Sequence, residues 1–159
     1  MPQSKRKMHI KKMDHSALIV RDLERSRAFY GEVLGLVEVP RPKSFVFRGA
    51  WFRGPSFELH LILADDTTAP VGFGDPGEGG LTGLAHHLAF EVDDLDEALA
   101  YLRRHNVEIL SGPMPRGDGV VQAYVFDPDG NFLEFFCWDG DETSLAEERY
   151  SVGQQHEVR

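Results

Sequence analysis

The chain has a single cysteine, Cys137, among its 159 residues. No intramolecular disulfide can form, so a disulfide-stapled scaffold is excluded, and a reducing, cytoplasmic location is expected. Long apolar runs are missing too. No stretch approaches the ~20 apolar residues of a membrane-spanning helix, so no membrane partner is expected. Cations are scarce beside acids, 17 Lys and Arg against 26 Asp and Glu, for a formal net charge of −9. Five of those cations, Lys5, Arg6, Lys7, Lys11 and Lys12, fall in the first twelve residues, which contain no acid. Setting that +5 aside leaves −14 on the rest. A body that acidic repels a phosphate backbone, so nucleic acid is not an expected partner. The basic head lacks the apolar stretch of a signal peptide and reads as a disordered tail over residues 1–12.

What is present is an ordinary globular composition, 42% hydrophobic and 27% charged, and within it a repeat. At an offset of 72, His15 meets His87, Ala17 meets Ala89, Val20 meets Val92, Asp22 meets Asp94, Leu23 meets Leu95, and Phe29 meets Tyr101. Each half begins with a short β-prone run, 14–20 and 87–92, followed at once by an aspartate where a helix N-cap belongs. The second helix shows Leu95, Ala98, Leu99 and Leu102 at i, i+3, i+4, i+7. The first carries Phe29, Tyr30, Val33 and Leu34 on one face and stops at Gly35. Further strands are expected near 36–39, 45–53 and 57–63, then near 107–110, 119–126 and 131–138. The expected fold is therefore α+β, with βαβββ modules over 13–63 and 85–138. A Gly/Pro-rich linker or lid over 64–84 joins them, and a C-terminal tail covers 139–159.

Strand parity sorts side chains into faces. His87, Ala89 and Glu91 share one face, with Leu88, Phe90 and Val92 on the other. Leu59, Leu61 and Leu63 make the apolar face of their strand, leaving Glu58, His60 and Ile62 opposite. Glu134 shares a face with Phe132, Phe136 and Trp138, and His15 with Ala17 and Ile19. Four strands thus place a metal-competent residue on the face away from the helix. Curved mixed sheets would bring those faces round a cup-shaped cleft. A lone strand histidine is ordinarily a surface residue, but His15 and His87 at matching repeat positions, with carboxylates nearby, point to one shared cation. Glu58 and His60 lie about 6.6 Å apart along their strand, which makes them alternatives for one ligand position.

With these residues placed, the sequence resembles the vicinal oxygen chelate superfamily, which includes glyoxalase I, the bleomycin-resistance proteins and extradiol dioxygenases. The resemblance is carried by His15 with Asp22-Leu-Glu-Arg-Ser-Arg-Ala-Phe-Tyr-Gly-Glu-Val-Leu-Gly-Leu36, by Phe57-Glu-Leu-His-Leu-Ile62, by His86-His-Leu-Ala-Phe-Glu-Val-Asp-Asp94, and by Asp127-Pro-Asp-Gly-Asn-Phe-Leu-Glu134. It implies His15, Glu58, His87 and Glu134 as metal ligands, with His60 the alternative to Glu58. Two imidazoles with carboxylates suit Fe, Mn, Co, Ni or Zn. The implied activity is that of a lyase or isomerase of glyoxalase type on a small oxygen-bearing substrate, with Glu58 or Glu134 as proton carrier. An extradiol dioxygenase, a fosfomycin-type transferase and a small-molecule or antibiotic binder are the alternatives. A homodimer is expected, since each half-barrel has sheet edges to cover.

Overall fold

The computed structural model describes residues 8–64 and 86–139. Most of the expected basic tail, nearly all of the linker and all but the first residue of the C-terminal tail lie outside them. The chain folds as two compact units, each built on the same plan.

The first unit runs β1 (His15–Val20), α1 (Leu23–Arg27), a π-helical turn (Ala28–Val33), β2 (Val37–Val39), β3 (Gly49–Arg53) and β4 (Glu58–Leu63). Its strands are ordered β1-β4-β3-β2, with β1 and β4 parallel and the rest antiparallel. The second unit runs β5 (His87–Glu91), α2 (Leu95–Arg104), β6 (Ile109–Pro115), β7 (Val120–Phe126) and β8 (Phe132–Trp138). Its order is β5-β8-β7-β6, again with the first and last strands parallel. Two mixed four-stranded sheets with one helical segment each make the α+β class. Among the described residues no helix is long and apolar enough to cross a membrane.

The helices start where the aspartates dictate. The Asp22 carboxylate accepts from the Arg25 amide at 3.0 Å, and that of Asp94 from the Glu97 amide at 2.9 Å. Each bond satisfies one amide that the first turn leaves without a partner. The first helix widens to a π-turn after Arg27 and ends before Gly35, whose φ is +72°. In the first unit Leu18, Val20, Phe29, Tyr30, Phe52, Leu59 and Leu61 form the core. In the second, Leu95, Leu99 and Leu102 of α2 pack on β6, β7 and β8, where Val125, Leu133 and Phe135 are buried. Burial of each such side chain contributes about 1.5–3 kcal/mol.

Two strands differ from expectation. Residues 45–48 are not strand: the Phe45 amide turns back to the Pro42 carbonyl at 3.1 Å, and the carbonyls on either side of Arg48 are taken by the side chain of Arg41. Its Nη2 donates to the Phe47 carbonyl at 2.7 Å and its Nη1 to that of Gly49 at 3.1 Å. Strand β6 runs on to Pro115, past the expected 107–110, through two shifts of register against β7.

Candidate metal-donor sites in the two units

In the first unit the alternation of β1 and β4 turns Leu18, Val20, Leu59 and Leu61 inward and leaves His15, Glu58 and His60 on the opposite face. Parallel pairing sets His15 level with Glu58 and Ala17 level with His60. The His15 and His60 rings stack at 4.2 Å between centroids and 17° between planes. Trp51, the cross-strand partner of His60 on β3, covers the other face of that imidazole at 3.9 Å and 4°. His60 is thus held between two rings. His15 Nδ1 lies 3.3 Å from Asp14 Oδ2, and Lys12 reaches the other oxygen of Asp14 at 2.7 Å. Lys12 first, then His15, holds the Asp14 carboxyl below its ordinary pKa.

Glu58 is divided between two partners. Its Oε1 accepts from Arg53 Nε at 3.1 Å and Nη2 at 2.7 Å, and its Oε2 lies 3.2 Å from His60 Nε2. Arg53 is the main cause, and His60 the second, of a Glu58 pKa below the usual carboxylate value. Glu58 and His60 are two residues apart on the strand, yet their tips meet. Strand rise alone is therefore no reason to treat them as exclusive, because both side chains are long enough to lean along the strand.

In the second unit Glu134 is buried, at 3% exposure. A carboxylate there is costly unless its oxygens are satisfied, and they are. Tyr124 donates its hydroxyl to Oε2 at 3.2 Å, and Arg116 donates Nη1 to Oε1 at 3.2 Å. His87 Nε2 lies 3.0 Å from Oε2. Arg116 is itself fixed by Asp118, to which Nε and Nη2 donate at 2.9 and 3.0 Å. Burial first, then the Glu134 charge, raises the Tyr124 pKa above 10.0.

Each unit therefore offers an imidazole nitrogen and a carboxylate oxygen 3.0 to 3.2 Å apart. Two ligands bound at right angles, each about 2.1 Å from one ion, stand about 3 Å apart. The spacing of His87 and Glu134 fits two ligand positions on one divalent cation. Among the described residues no three His, Cys, Asp or Glu side chains form a group able to hold a metal.

The register distinguishes Glu58 from His60. Ala89, the repeat counterpart of Ala17, pairs with Glu134, whereas Ala17 pairs with His60. His60 is thus the counterpart of Glu134, and Glu58 is the counterpart of Phe132. Reasoning from sequence missed Arg53, Arg116, Trp51 and Tyr124. Their signal was cross-strand pairing, which parity alone does not contain.

Residues 12–135 match the Glyoxalase/Bleomycin resistance protein/Dioxygenase superfamily. A lactoylglutathione lyase of Neisseria meningitidis is 32% identical over 148 residues, covering 83% of this chain and 94% of the relative. The crystal structure of a glyoxalase/dioxygenase from Nostoc punctiforme superposes with a TM-score of 0.65 at 29% identity, covering 85% of this chain and 99% of the other. An antibiotic binding protein from Streptomyces sp. CB03234 gives 0.64 at 26% identity, over 84% of this chain and all of the other.

Proposed function

The chain belongs to the glyoxalase/bleomycin resistance protein/dioxygenase superfamily, and from that premise we propose a metal-dependent lyase or isomerase acting on a small oxygen-bearing substrate. His15, His60, His87 and Glu134 would hold its divalent cation. The observation that carries this reading is the repetition of donors at matched positions. His15 and His87 open equivalent strands, and His60 and Glu134 occupy equivalent places on the strands paired with them. Chance polar residues on a sheet face have no reason to follow the repeat.

A cation bound by these donors supplies Lewis acidity, stabilising negative charge that develops on a substrate oxygen. The chain's own groups divide the remaining work. Arg116 and Tyr124 orient Glu134 through its two oxygens. Asp14 orients His15 through Nδ1 and leaves Nε2 to ligate. Glu58 is left as the proton carrier. Arg53, then His60, lowers its pKa below the usual carboxylate value, so it stands in the ionised form that accepts a proton, with Oε2 against His60 Nε2.

A second reading has an observation behind it. The rings of Phe47, Phe45, Trp51 and His60 run edge to face and then face to face, with successive centroids 5.2, 5.4 and 3.9 Å apart. Such a surface suits a planar ligand, as expected of a small-molecule binder like the Streptomyces neighbour. Protein purified without chelator, analysed for metal and then screened against thiohemiacetals, fosfomycin with thiols, catechols and planar antibiotics, separates the readings. Bound metal with turnover supports the enzyme. Metal-free protein that only binds planar antibiotics supports the binder.

A further inference from the structure

The two units hold their equivalent donors with different chemistry. Trp51 is the cross-strand partner of His60, and Tyr124 is the cross-strand partner of Glu134. Because His60 and Glu134 are themselves counterparts, Trp51 and Tyr124 occupy the same place in the two units. We propose that Trp51 and Tyr124 are equivalent positioning residues, each matched to its donor, an indole face for the His60 imidazole and a phenol hydroxyl for the Glu134 carboxylate. The proposal rests on the reading that those donors hold a cation.

Consider what each donor needs. An imidazole that gives its lone pair to a cation becomes electron-poor, and the negative face of an indole stabilises a ring in that state. Trp51 stacks nearly parallel on His60, and His15 closes the other side. The ring is fixed before a ligand arrives, so the entropy of orienting it is already spent. A carboxylate in the same place would meet the negative face of the indole and be repelled. Glu134 needs hydrogen-bond donors instead. The buried Tyr124 hydroxyl supplies one to Oε2, the oxygen that faces His87. Its ring also stands edge-on to His87, at 5.9 Å and 85°. An exchange of Trp51 and Tyr124 would leave each donor with the wrong neighbour.

Packing alone would also account for an aromatic residue on each strand, so the test must read something packing does not. Full-length protein stripped by chelator is titrated with Co(II) against a chromophoric competitor. Trp51→Leu and Tyr124→Phe are each expected to weaken binding by about 10–100-fold. Trp51→Phe, which keeps a ring face, is expected to recover most of the Trp51→Leu loss. In a His60→Ala background, Trp51→Leu is expected to cost less than about 2-fold more. Tyr124→Phe should behave likewise in a Glu134→Ala background, since a residue acting through its donor couples to it. Full losses that persist in those backgrounds, or unchanged affinity in both single variants, would overturn the proposal. Should Trp51→Leu fail to fold, Trp51→Phe and Trp51→Met are compared in its place, with Phe expected to bind tighter. Should His60→Ala and Glu134→Ala themselves leave affinity unchanged, the metal reading fails and this proposal falls with it.

Discussion

His87 Nε2 stands 3.0 Å from Glu134 Oε2, the carboxylate oxygen that also receives the Tyr124 hydroxyl. His87→Ala should lower cation affinity by about 100-fold or more, since loss of supporting groups alone costs about 10–100-fold. Elemental analysis after gel filtration checks this, and stoichiometric metal in the variant would refute the site.

Glu58 and His60 should separate cleanly. With His60 the counterpart of Glu134 and Glu58 engaged by Arg53, His60→Ala should weaken metal binding by about 100-fold or more, still measurable against a chromophoric competitor. Glu58→Gln should keep the metal within about tenfold of wild-type affinity while depressing turnover by about 100-fold or more, the scale of a lost proton carrier. Equal loss of metal in both variants would return Glu58 to the ligand set.

Alkaline pH should expose the burial of Tyr124. Its phenol titrates above 10.0 in the folded chain, so the unfolded chain releases that proton first, and high pH favours unfolding. The stability linked to Tyr124 is complete below pH 10 and declines as pH rises through the higher folded pKa. Urea midpoints of metal-free protein at about pH 8 and about pH 11 should therefore fall less in Tyr124→Phe than in wild type. An equally steep fall would contradict the assignment.

Leu99 is 1% exposed on α2 and packs under the second sheet. Leu99→Ala should destabilise the metal-free chain by about 2–5 kcal/mol through the cavity it leaves, measured by urea denaturation. A cost under about 1 kcal/mol would mean that the site collapses around the smaller side chain.

Assembly is open to a direct measurement. Strands β1 and β2 are the outer strands of one sheet, β5 and β6 of the other, and open edges are usually covered. A homodimer is expected by light scattering. If modules exchange across it, mixing His15→Ala with His87→Ala protein should restore metal binding in part, because one of the two sites in a heterodimer keeps every donor. A monomer sinks the dimer, and verified heterodimers without recovery sink the exchange alone.

Much of this was legible in the residues. The offset pairing His15 with His87 and Asp22 with Asp94 predicted the doubled unit, because equal patterns of apolar spacing and capping fold alike. Parity put Leu59 and Leu61 inside and His60 outside, as found. Parity could not tell Glu58 from His60, since residues two apart share a face. The choice depends on register against β1, which is set by long-range hydrogen bonds. Nor could it show that Phe45-Val-Phe47, a β-prone run, leaves a turn in which the Phe45 amide bonds the Pro42 carbonyl, with Arg41 on the Phe47 carbonyl. The long β6 was hidden for a similar reason: Gly112 and Pro113 interrupt alternation, and only the bulged pairing with β7 carries the strand past them.

The parallel pairing of first and last strands has a mechanical consequence. Force applied along the chain would pull the leading end of β1 and the trailing end of β4 in opposite directions. That loads the ladder from His15 through Val20 in shear, every rung at once, where an antiparallel hairpin would unzip rung by rung. The same holds for β5 against β8. Each unit is fastened at its own ends and should resist stretching well beyond what its size suggests.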